Sequence, residues 1–160
     1  MSRTEALSEL QFTVSGFIAR PPAEVFEAVA DPAQLSRYFT TGGAEGRLEA
    51  GADVQWDFAD FPGAFPVEVV AVTAPARIVI RWDGDTSTIL NGAERTEVEF
   101  VFRAVDGGAR TEVKISERSW RPTVGGAEAA FGNCMGWTGM LAAMKAWLEH
   151  GIVLRDGFYA

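Results

Sequence analysis

The segment Arg95-Thr96-Glu97-Val98-Glu99-Phe100-Val101-Phe102-Arg103 places Thr96, Val98, Phe100 and Phe102 on one side of an extended chain and its charged residues on the other. Successive side chains of a strand point to opposite faces, so a period of two marks a half-buried β-strand. Asp106-Gly107 follows as a hairpin turn signal. Thr111, Val113 and Ile115 then alternate with Arg110, Glu112 and Lys114. The two segments pair as an antiparallel hairpin with one apolar and one wet face.

Working outward, the same pattern recurs. Ile78, Ile80 and Trp82 alternate with Arg77, Val79 and Arg81, and Asp83-Gly84 closes that run. Val54, Trp56 and Phe58 alternate with Gln55 and Asp57, and Phe61-Pro62-Gly63 is expected to turn the chain. Over residues 67–72 the inward face is ambiguous, because Val67, Val69 and Ala71 compete with Val70 and Val72. Phe12, Val14, Gly16 and Ile18 form the first strand, after a loose or partly helical arm over residues 1–10. Two short helices follow. Pro22 suits a first helical turn, with Val25, Phe26 and Val29 behind it. Asp31, Pro32 and Gln34 supply the cap, first position and capping box of the second, and Leu35, Tyr38 and Phe39 its apolar contacts, before Gly42-Gly43 breaks it.

The sheet needs a cover. Cys134, Trp137, Leu141, Met144 and Leu148 recur at spacings that share one helical face, and Phe131 and Met135 are expected to extend that face at its start. His150 and Gly151 are stop signals. A helix from about residue 127 to 150 would span roughly 35 Å, enough to cross the sheet. We therefore expect an α+β helix-grip fold over residues 1–160 as one domain: a curved antiparallel sheet around a long C-terminal helix, with two short helices after the first strand.

Composition narrows the function classes. The net charge is −8 and there is no run of Lys or Arg, which argues against a nucleic-acid or anionic-membrane surface. The N-terminus has no apolar signal core and no stretch approaches the length of a membrane span, so a cytoplasmic protein without membrane insertion is expected. One Cys excludes an internal disulfide, and Cys134 reads as a small buried hydrophobe. One His and one Cys form no metal site, and His150 at a helix C-terminus reads as a cation rather than a base. Gly42-Gly43-Ala44-Glu45-Gly46 lacks the Lys-Ser/Thr of a phosphate loop. No metal, triad or nucleotide motif is found, no cofactor is expected, and the chain reads more as a binding protein than as an enzyme.

The order of these elements resembles the START-like superfamily, also called Bet v 1-like or SRPBCC. Within it the chain resembles the branch named after the C-terminal domain of the Hsp90 ATPase activator. The residues that carry the resemblance are Ala19-Arg20-Pro21-Pro22-Ala23-Glu24-Val25-Phe26, Asp31-Pro32 and Tyr38-Phe39. Near the end they are Gly136-Trp137, Leu141, Met144-Lys145 and Leu148-Glu149. The resemblance covers about residues 12 to 151 and implies a helix-grip fold around a hydrophobic cavity. Its members bind lipids, steroids or polyketides, a few are cyclases or dehydratases, and the namesake stimulates a chaperone. It thereby also implies a chaperone of the stress response, or a second copy of the chain, as partner. The namesake carries a separate N-terminal domain, which this chain is expected to lack, since about eleven residues precede the first expected strand.

Among the carboxylates, Glu97, Glu99 and Glu112 are expected to make solvated ion pairs across strands, while Asp57 and Asp60 flank an aromatic-rich turn and could face inward. The candidate ligand site is the aromatic interior: Tyr38, Phe39, Trp56, Phe58, Phe65, Trp82 and Phe100, with Phe131, Met135 and Thr138 from the long helix. Its mouth is expected at the N-terminal half of that helix, beside Tyr38, Phe39 and Phe61-Pro62-Gly63. These side chains either line a cavity for a hydrophobic small molecule or fill a dry core. Three functions follow: a binding module for a lipid- or polyketide-like ligand, a cyclase- or dehydratase-type enzyme, and a chaperone partner. The second requires a buried ionisable group with a perturbed pKa, and the third an exposed apolar patch.

Overall fold

The computed structural model describes residues 4–159, so the first three residues of the expected N-terminal arm lie outside the described residues; residues 4–9 contain no helix. The chain runs β1 (Leu10–Ile18), α1 (Pro22–Ala30), α2 (Pro32–Tyr38), β2 (Gly43–Glu45), β3 (Asp53–Phe58), β4 (Phe61–Thr73), β5 (Arg77–Trp82), β6 (Thr96–Val105), β7 (Arg110–Trp120) and α3 (Val124–His150). The strands form one antiparallel sheet in the order β1-β7-β6-β5-β4-β3-β2. The first and last strands are thus neighbours, and α3 crosses the inner face as the grip's helix.

Several boundaries differ from expectation for identifiable reasons. Phe61-Pro62-Gly63 is not a turn but the start of β4; the turn lies at Ala59-Asp60. The helix α3 starts three residues earlier than expected, because Thr123 caps it by accepting the Gly126 N–H at 3.1 Å. Asp106 to Gly108 forms a short 3-10 turn. The ambiguity over residues 67–72 has a structural cause. A register shift between Val69 and Ala71 inserts Val70 as an extra residue, so the inward set changes phase from Val67 and Val69 to Val72, which packs against the core, while Val70 is exposed.

The outer face carries the ion pairs. Arg77 meets Glu99, Arg81 and Arg118 both meet Glu97, and Arg103 meets Glu112. Such solvated pairs are screened by water and add little to stability. The inner face supplies the core: Val98, Phe100, Val113 and Ile115 from the central hairpin meet Trp137, Met140, Leu141 and Met144 of α3. Cys134 and Leu148 are only partly buried, at the two ends of that contact.

Phe131 and Met135 do not extend this face; they are 72% and 60% exposed. Two residues along a helix turn the side chain by about 200°, so Met135 points away from Trp137. The inward seam toward the N-terminus instead runs through Ala130 and Gly126, which are buried.

Candidate functional site

Continuing the period of two from Val113 and Ile115 brings Glu117 onto the inward face of β7, where it is fully buried. Four side chains from three other elements donate to its carboxylate. Trp82 Nε1–H of β5 reaches Oε2 at 2.8 Å, and Thr96 Oγ1–H of β6 reaches the same oxygen at 2.6 Å. From α3, Trp137 Nε1–H reaches Oε1 at 2.8 Å, and Asn133 Nδ2–H donates to both oxygens at 3.1 Å. Every partner is neutral. Burial pushes the Glu117 carboxyl above its ordinary value, and the bonds from Thr96, Trp82, Trp137 and Asn133 pull the other way without cancelling it.

The shell around this carboxylate opens outward. Trp82, Thr96 and Asn133 also line a cleft of about 290 Å³ that is completed by Phe65, Trp120, Ala129 and the loop residues Asp83, Gly84, Asp85 and Thr88. The loop is held in place by Arg121, whose guanidinium donates to the Asn91 Oδ1 at 2.8 Å and to the Ile89 carbonyl, and by the Leu90 N–H to the Ser119 carbonyl at 2.9 Å. Trp120 reaches the cleft through a local irregularity. Between Glu117 and Trp120 the strand β7 carries one residue more than β1, and Ser119 takes φ +88°, in the left-handed region. This bulge turns Trp120 inward although it lies three residues after Glu117. Strained backbone of this kind collects at functional sites.

The residues expected to line an interior cavity divide into three groups. Phe39, Trp56, Phe58 and Phe100 pack into one aromatic network with Phe65, Trp82 and Trp137: ring centroids lie 5.4 Å apart for Phe39–Trp137 and Phe100–Trp137, and 5.9 Å for Trp56–Trp82. Tyr38 is core as well, its hydroxyl donating to the Ala28 carbonyl at 2.8 Å with burial raising its pKa. Only Phe65 and Trp82 reach the cleft. Phe131, Met135 and Thr138 lie on the outer side of α3, where Thr138 donates to the Cys134 carbonyl at 2.8 Å. Phe131 and Met135 form with Val124 an exposed apolar stripe.

The place expected for the mouth, beside Phe61-Pro62-Gly63, holds a separate surface hollow of about 480 Å³ lined by Thr41, Ala59, Asp60, Pro62, Arg155, Asp156 and Gly157. At the turn before Phe61-Pro62-Gly63, Arg155 of the C-terminal tail pairs with Asp60 at 2.9 Å, with its guanidinium 5.2 Å from the Phe58 ring and 4.6 Å from the Tyr159 ring. Asp57 accepts the Gly63 N–H at 3.1 Å. Both aspartates are therefore engaged at this hairpin. The cleft next to the Glu117 shell adjoins the N-terminal half of α3 through Ala129 and Asn133 and opens beside the β5–β6 loop. Sequence reasoning missed Glu117, Trp120 and Asn133 as a set. The signal for Glu117 was present, since the alternation of β7 places a carboxylate two residues beyond Ile115 on the apolar face.

Residues 19–149 match the model of the Activator of Hsp90 ATPase homolog 1-like protein family. The chain belongs to that family. Solved structures agree on the fold. Protein SSP2350 from Staphylococcus saprophyticus superposes with a TM-score of 0.74 at 21% identity, covering 91% of this chain and 96% of that one. The Aha1 dimer subunit from Colwellia psychrerythraea gives 0.70 at 18% identity, covering 89% and 98%. DynU16, a protein in the dynemicin biosynthetic locus, gives 0.69 at 24% identity; the match covers 91% of this chain and 49% of DynU16. No curated protein shows a significant sequence match. Among the described residues, no helix of this family member is long and apolar enough to cross a membrane.

Proposed function

We propose that the chain is a small-molecule binding module whose ligand lies in the cleft between the β5–β6 loop and the N-terminal half of α3. The observation that carries this reading is that Trp82, Thr96 and Asn133 each face the cleft while holding the buried Glu117 carboxylate. A concave site with aromatic walls and a few fixed polar groups is the usual form of a small-molecule site. Phe65, Trp82 and Trp120 supply apolar wall for a hydrophobic body such as a polyketide-like ring system. The polar shell sets its orientation. The aromatic network deeper in is already packed, so the ligand occupies the cleft rather than a central cavity.

Native mass spectrometry of the purified protein, with a panel of flat aromatic and polyketide-like compounds, tests this. Wild type is expected to retain one equivalent of a ligand. Ala129→Trp, which fills the cleft from α3, is expected to lose it without loss of helix signal. Equal retention by both proteins would place binding elsewhere.

One observation favours an acid–base enzyme as the second reading: a buried carboxyl with a raised pKa stands next to a cleft. Its environment weighs against it. Glu117 accepts from four side chains, which leaves it poorly placed to receive a proton from a substrate. A bound compound whose mass changes during incubation, and stays unchanged with Glu117→Gln, would favour catalysis. The exposed stripe of Val124, Phe131 and Met135 is the surface that a chaperone partner or a second copy of the chain would use.

A further inference from the structure

Resting on the reading of the cleft as a ligand site, the nature of its charge says what kind of ligand it takes. Glu117 is buried without a counter-ion: among the described residues no Lys, Arg or His forms an ion pair with it, and its donors are two indoles, a hydroxyl and an amide. A buried charge is ordinarily paired, because neutral donors replace hydration but do not balance the charge. The side chains lining the cleft include Asp83 and Asp85 and no cation. Nearby cations are engaged elsewhere. Arg95 bridges Asp83 at 2.9 Å and Glu68 at 3.1 Å, and Arg121 holds the loop through Asn91. An anionic ligand would meet this uncompensated field, and a neutral one would leave it uncompensated.

The walls point the same way. Trp82 gives its indole N–H to Glu117, and donation to an anion makes the indole ring richer in electrons. The faces of Trp and Phe attract cations within about 6 Å of the ring centroid. Glu117 itself is enclosed by its four donors, so it acts on the ligand through the field and through Trp82 rather than by direct contact. Recognition through ring faces favours an alkylated ammonium, which needs no hydrogen-bond acceptor, over a primary amine. We propose that the cleft is a receptor for an organic cation, a quaternary or tertiary ammonium carried on an apolar body.

Benzyltrimethylammonium and neopentylbenzene have the same shape and differ in charge, so titrating wild type with each by tryptophan fluorescence at low salt isolates the charge. The cation is expected to bind about tenfold more tightly, in the range that cation–π contact and a nearby carboxylate allow. In Trp82→Phe, which keeps a ring but loses the N–H link to Glu117, that preference should shrink to about threefold or less. Equal or tighter binding of neopentylbenzene by wild type would overturn the cation assignment while leaving the cleft as a site. Saturable binding of neither compound, together with no retained mass in the native spectra, would remove the cleft reading itself. The wild-type comparison decides between these outcomes even if the variant does not fold.

Discussion

Trp137 donates its indole N–H to Glu117 at 2.8 Å, which ties the middle of α3 to β7 through a buried carboxylate. The same indole packs against Phe39, Trp82 and Phe100. It therefore serves packing and polarity at once, and the two roles separate by substitution. Trp137→Ala should cost about 3–5 kcal/mol by cavity formation in the core. Trp137→Phe retains most of the ring contact and orphans one bond of Glu117, so it should cost about 1–3 kcal/mol. Urea denaturation of both variants checks the order. A loss below about 1 kcal/mol for Trp137→Ala would show that this face of α3 does not hold the core.

Stability should carry a signature of Glu117 in its pH dependence. Burial holds this carboxyl above its ordinary 4.5, so the folded chain keeps the proton at pH values where the unfolded chain has lost it. Where the native state binds more protons, stability falls as pH rises. The stability of wild type minus that of Glu117→Gln should thus decline as pH rises from about 4.5 through the folded value, then level off. Glu27, Glu112 and Glu149 are held low by bonds from Arg47, Arg103 and Lys145 and act in the opposite sense at lower pH. They are common to both proteins and cancel. A difference that rises with pH would mean that the four donors outweigh burial.

The glycines of α3 divide by what a methyl group would meet. At Gly126 an added Cβ would lie 1.9 Å from the Arg121 carbonyl oxygen, a backbone atom that cannot move without shifting the start of the helix. At Gly132 it would meet nothing within 4 Å. Alanine is favoured over glycine in a helix by about 1 kcal/mol. Gly132→Ala should therefore raise the melting temperature and Gly126→Ala should lower it. Thermal unfolding of the two single variants checks the opposite signs; equal shifts would mean that the contact at Arg121 is not tight.

The fold was legible in the chain because period-two strands such as Thr96 to Phe102, and the repeat from Trp137 to Leu148, are set by burial on one face. The family resemblance rested on motifs such as Asp31-Pro32 that lie at element boundaries. What escaped was local departure from period. The bulge at Val70 scrambled the reading of β4, and the bulge at Ser119 hid that Trp120 faces inward on the same side as Glu117. The outward turn of Phe131 and Met135 is not legible from residue type, because apolar character alone does not mark burial and the helix seam continues through the small residues Ala130 and Gly126. Of the candidate site, Phe65 and Trp82 were legible as aromatics on strands. The charged residue they surround was not, because the alternation is followed there only to Ile115, two residues short of Glu117.

Occupancy of the cleft is tested most directly by NMR, following the indole N–H of Trp82 and the side-chain amide of Asn133 as benzyltrimethylammonium is added to wild type. Both groups line the cleft and both donate to Glu117, so they report on the site and on its carboxylate together. We expect saturable shifts at both with one common Kd, a smaller shift at the Trp137 indole, and none at Phe131 or Met135. Unshifted Trp82 and Asn133 signals, with changes confined to Phe131 and Met135, would contradict the account and move the functional surface to the outer face of α3.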